Sequence, residues 1–108
     1  MLNGAVTFYN HTDGKWAGAN GHEIEVTVYE GLSPNGTSHR IKLGDSWSYP
    51  RKTDIKYKIK SCTVTKGWAT YEGKVYGHAS HSLYIVESNH ALSFNVAHEW
   101  PPKFRDKL

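Results

Sequence analysis

The stretch His22-Glu23-Ile24-Glu25-Val26-Thr27-Val28-Tyr29-Glu30 decides the fold. Ile24, Val26 and Val28 alternate with Glu25, Thr27 and Tyr29. Successive side chains of a strand point to opposite faces, so a period of two describes a strand with one buried and one wet face. Asp54 to Thr65 repeats the pattern. Ile55, Tyr57 and Ile59 fall on one face, and Lys56, Lys58 and Lys60 on the other. Beyond Lys60 the apolar phase slips, because Cys62 and Val64 have the wrong parity to continue the set. The slip predicts a β-bulge or a strand break near Lys60-Ser61.

Six further runs of aromatic and β-branched residues lie between clusters of Gly, Asn, Ser and Pro. They predict strands at Ala5 to Asn10, Ser38 to Leu43, Trp68 to Glu72, Lys74 to Gly77, Ser82 to Glu87 and Ala91 to His98. His39, Ile41 and Leu43 share one face of the second of these, and Leu92, Phe94 and Val96 point inward on the last. Glu72-Gly73 reads as a tight turn. Trp100-Pro101-Pro102 ends the ladder, since proline cannot donate to it. No window carries a 3.6-residue period. The expected fold is all-β: a single antiparallel β-sandwich of about eight strands, with Greek-key-like connections and no significant helix. It fills residues 1–108 as one domain, with 103–108 read as a flexible tail.

Composition narrows the function classes. The chain has 108 residues, 38% apolar and 21% charged, which suits one domain with a real core. No apolar run approaches the roughly 20 residues that span a bilayer as a helix. Cys62 is the single cysteine, so an internal disulfide is excluded. Its strand position predicts a buried, inert thiol. Met1 to Asn10 lacks the basic and apolar regions of a signal peptide, so a cytoplasmic location, or release by a non-classical route, is expected. The net charge of +3 is too small and too dispersed to point to nucleic acid.

Strands of alternating direction sort the connections between two ends. One end is expected to hold 10–21, 44–53, 72–73 and 88–90, and the other 31–37, 66–67 and 78–81. The first carries Trp16, Trp47 and Tyr49, with Asp13, Asn20, Asp45, Asn89 and His90 beside them. Flat aromatic faces pack on the C–H faces of sugars, while Asp and Asn bond the hydroxyls. These residues are therefore the expected ligand-binding set of a non-catalytic, lectin-like module for a glycan or glycoconjugate. The competing expectation is that the tryptophans fold back and cap the core. With Arg51 and Lys52 the same end also suits an anionic lipid surface, as in a toxin-like or defence protein.

Other constellations are weaker. His78-Ala79-Ser80-His81 offers two imidazoles but no further ligands at metal spacing, so no metal or other cofactor is expected. Lys56, Lys58 and Lys60 read as a solvated face or as edge protection, because Tyr57 points away from them. No nucleophile elbow, phosphate loop or dinucleotide fingerprint is present, and no enzymatic activity is expected. Phe8-Tyr9 with Trp16-Ala17-Gly18 is similar to the aromatic corner of βγ-crystallin Greek keys, which implies a structural or calcium-binding alternative. The spacing from Tyr9 to Trp16 is longer than in that corner, and His90 stands where the calcium loop wants an acid. The composition is also similar to that of small fungal and bacterial lectins and aegerolysin-like cytolysins.

Overall fold

The computed structural model describes residues 4–12, 21–88 and 91–101. Among these the chain forms eight strands and no helix: β1 (Ala5–Asn10), β2 (Ile24–Glu30), β3 (Thr37–Ile41), β4 (Ser46–Pro50), β5 (Ile55–Ser61), β6 (Tyr71–Val75), β7 (His81–Glu87) and β8 (Phe94–Ala97). They make two four-stranded sheets, ordered β4-β1-β7-β8 and β3-β2-β5-β6. The first is called here the aromatic sheet and the second the lysine sheet. All neighbours pair antiparallel except β1 and β7, which run parallel from Val6↔His81 to Asn10↔Ile85.

Alternation fixes the core as expected. Ile24, Val26 and Val28 of β2 and Ile55, Tyr57 and Ile59 of β5 meet Val6, Phe8, Leu83 and Ile85 from the other sheet, and all are buried. The Phe8 and Tyr57 rings meet edge to face at 5.3 Å. Such a contact adds about 0.5–1.5 kcal/mol beyond area burial.

The phase slip after Lys60 is a strand break. β2 and β5 pair without a bulge from Glu30↔Ile55 to Ile24↔Ser61, and β5 then stops. Ser61 holds the inward parity but carries a hydroxyl, so the inward face continues into a polar position that an apolar pattern does not register. Cys62 lies past the strand and is half-buried rather than enclosed.

Three expectations are corrected. Residues 44–53 are not one loop, because β4 lies inside them. Trp47 and Tyr49 alternate with Ser46, Ser48 and Pro50 there, and proline is tolerated because β4 is an edge strand. Glu72-Gly73 is not a turn, because β6 runs through it. A Cβ on Gly73 would sit 2.4 Å from the Tyr57 hydroxyl, so this glycine makes room for a core ring. The missed strand and the split strand cancel in the count but not in the grouping of loops. Finally, Leu43 and Leu92 are exposed, at 49% and 60%, since both lie outside strands. His39 keeps its inward parity but is exposed on edge strand β3.

Consecutive strands do alternate in direction. One end, which we call the Asn10 end, gathers, among the described residues, 11–12, 21–23, 42–45, 62–70, 88 and 91–93. The Asn10 amide marks it by donating to the carbonyls of His22 and Ile41, each at 2.8 Å. The other, the Arg51 end, gathers 31–36, 51–54 and 76–80. Lys66-Gly67 therefore joins the Asn10 end, and Arg51 and Lys52 leave it.

Candidate functional site

Of the expected ligand-binding set, Asp13, Trp16, Asn20, Asn89 and His90 lie outside the described residues. Asp45 is exposed at the Asn10 end, and its carbonyl accepts the Asn10 amide at 2.9 Å. Trp47 and Tyr49 are not on that end. They sit on the inward face of β4, half-buried, where the two edge strands β3 and β4 leave the side of the sandwich open. Trp47 stacks on Phe8 at 5.9 Å and on His39 at 5.0 Å. The Tyr49 hydroxyl donates to Glu30 Oε1 at 3.1 Å. Both rings pack against the core, which for Trp47 is the competing expectation.

The Asn10 end is closed by a buried polar chain. Ser61, His22 and Glu87 are each at most 6% exposed. The amides of Thr63 and Val64 donate to Ser61 Oγ at 3.1 and 2.8 Å. With both lone pairs taken, the Ser61 hydroxyl donates its proton to His22 Nδ1 at 2.7 Å. His22 is then the Nε2–H tautomer and faces Glu87 Oε2 at 2.9 Å. Burial lowers the His22 pKa, which keeps the ring neutral. Trp68 and Phe94 cover the imidazole at 4.3 and 5.6 Å. A serine–histidine–carboxylate chain has the composition of a hydrolytic triad. Here, however, the hydroxyl is enclosed and its amide donors point at Oγ itself, not at the place an oxyanion would occupy. The chain clamps β2, β5 and β7 together.

Arg51 closes the opposite end and is 1% exposed. Its guanidinium donates to the carbonyls of Val75 at 3.0 Å, Tyr76 at 3.3 Å and Ala79 at 2.6 Å. It ties the 76–80 connection down and is not available to a lipid headgroup, whereas Lys52 beside it is exposed. His78 is exposed and His81 half-buried, and no cluster of three metal-ligating side chains occurs among the described residues.

The two outer faces differ. On the aromatic sheet, Tyr9 stacks on Tyr84 at 4.7 Å, and Trp100 lies 4.2 Å from His11. These rings occupy one another's faces and hold residues 98–101 against the sheet. On the lysine sheet, the register builds a grid. Tyr29, Lys56 and Lys74 form one row, Thr27, Lys58 and Glu72 the next, and Glu25 and Lys60 the third. Glu25 and Lys60 pair at 3.2 Å. The Lys58 ammonium lies 5.9 Å from the Tyr29 ring centre.

An open groove of about 650 Å³ runs over this grid, lined by Tyr29, Pro34, Lys56, Lys58, Glu72 and Lys74. It continues toward Thr27, Lys60 and Thr70. Two arguments for a passive lysine face fail. β5 is an interior strand, so its lysines protect no edge. An aromatic does share their face: Tyr29 from the neighbouring strand. The sequence showed Tyr29 with outward parity, but only pairing of β2 with β5 sets it beside Lys56.

A comparison with protein-family models, with curated proteins and with solved structures finds no match to this chain.

Proposed function

We propose that this protein is a non-catalytic carbohydrate-binding module whose binding face is the groove on the lysine sheet. The observation that carries the proposal is the lining of that groove. Tyr29 and Pro34 supply apolar surface beside Lys56, Lys58, Glu72 and Lys74. A sugar ring needs this mixture: a flat wall for its C–H face, with donors and acceptors for its hydroxyls. The groove is open along its length, which suits a chain of sugars rather than a small enclosed ligand. Lectin-like binding, expected from the aromatic sequence, is thereby moved from the loops of one end to the face of a sheet.

A glycan array followed by calorimetry on its hits tests this. Tyr29→Ala is expected to weaken the best hit about tenfold, equivalent to about 1.4 kcal/mol. Trp47→Phe, at the side of the sandwich, is expected to leave affinity unchanged. A blank array at high protein concentration overturns the proposal, as does a hit indifferent to Tyr29→Ala.

A further inference from the structure

We infer that the Lys56–Lys74 corner of the groove is a subsite for an oxyanion, the sulfate or carboxylate group of an acidic glycan. The inference rests on the glycan reading above and names its ligand class. The argument begins from cross-strand pairing. Opposite charges directly across a sheet stabilise it, and like charges in that position cost stability. Two of the three lysines on β5 obey this rule. Lys60 faces Glu25 on β2, and Lys58 faces Glu72 on β6. Lys56 does not, since it faces Tyr29 on one side and Lys74 on the other.

No acid stands directly across from either lysine in the register. Neither Lys56 nor Lys74 makes an ion pair among the described residues. Asp54, the next residue on that face of the chain, turns its Oδ1 to the Gly77 amide at 2.6 Å. Glu72 lies one row away, opposite Lys58. Two lysines are thus set across from each other on adjacent strands lining the groove, beside a tyrosine and a proline, with no acid directly across from either. An anion seated between them removes the repulsion and gains two charge-assisted hydrogen bonds. The ring of Tyr29 then lies where the sugar bearing that anion would stack. An acidic polysaccharide fits better than nucleic acid, because one aromatic side chain provides no series of stacking platforms for successive bases.

The test measures binding of three hexasaccharides to the intact chain by calorimetry: heparin (sulfated), hyaluronan (carboxylate only) and chitohexaose (neutral). Lys56→Gln and Lys74→Gln are each expected to weaken one or both acidic glycans at least fivefold, and Lys42→Gln, at the Asn10 end, to leave them unchanged. Whichever acidic glycan responds identifies the oxyanion. Lys74→Glu supplies the opposite charge that Lys56 lacks, so it is expected to abolish acidic-glycan binding while raising the melting temperature. Chitohexaose binding that Tyr29→Ala weakens, with no acidic glycan responding to either lysine, overturns the oxyanion subsite and leaves the glycan reading standing. No binding of any glycan overturns both. A twelve-residue oligo-dT that binds more tightly than heparin through the same lysines also overturns the inference.

Discussion

The two ends of the sandwich are each closed by a buried ionisable group, but by different means. At one end the two terminal nitrogens of Arg51 are held by the backbone carbonyls of Val75, Tyr76 and Ala79. At the other, Glu87 and His22 are buried together, and His22 in turn holds Ser61. A guanidinium does not titrate in the working range of a protein, and carbonyls never do. An imidazole does. The difference teaches that the first closure holds at any ordinary pH, whereas the second is set by whether one ring keeps or gains a proton.

The largest effect is expected from Arg51→Met. It leaves the buried Val75 carbonyl and the part-buried Tyr76 and Ala79 carbonyls without their donor, and about 2–4 kcal/mol of stability is expected to go, read from urea midpoints. A loss below 1 kcal/mol would mean the connection at 76–80 is held by something else. Ser61→Ala comes next, at about 1–3 kcal/mol, because it strands two amides and one imidazole nitrogen. If it proves neutral, the clamp at the Asn10 end is not a clamp.

The pH dependence sharpens the contrast. The His22 pKa is lowered by burial from 6.5, so the unfolded chain takes the proton first as pH falls. The stability tied to His22 is whole above about 6.5 and is lost progressively below it. His22→Gln is expected to flatten that slope, and Arg51→Met to leave its shape unchanged. A wild-type midpoint that does not move between pH 7 and 5 would break the comparison.

Glu30 gives the smallest effect. Burial raises its pKa, but the amides of Lys52 and Thr53 and the Tyr49 hydroxyl outweigh this and bring it below 4.5. Its contribution is present above 4.5 and fades as the pH falls further. Glu30→Gln is therefore expected to lower stability slightly at neutral pH and to match the wild type in acid, by thermal melts.

The parts of the fold legible in the sequence were those where burial is two-sided in the simplest sense. β1, β2, β5 and β7 sit inside their sheets, and in the first three the inward residues alternate cleanly with outward ones. Edge strands carry weaker signals. β4 hides its two aromatics among serines and a proline, and His39 on β3 points inward yet stays wet. Gly73 looked like a turn because its role is to be absent under a ring contributed by another strand. The groove was half legible. Its lysines stood out at once, but Tyr29 and Lys74 come from other strands, and no spacing within one strand states which residue lies across from it. The Ser61–His22–Glu87 chain was invisible for the same reason, since His22 lies 39 residues from Ser61 and 65 (87 − 22) from Glu87 in sequence.

The parallel pairing of β1 with β7 bears on how the chain is made. The lysine sheet is drawn from β2, β3, β5 and β6, all complete by Val75. The aromatic sheet needs the first strand, the fourth and the last two. During synthesis five strands emerge between β1 and β7, so Phe8 stays without its partner Leu83 until β7 is made. Pairing over so long a separation is slow, because the loop must close before the contact rewards it. One edge of β1 is thus open to misassociation for as long as the five strands between it and β7 are being made.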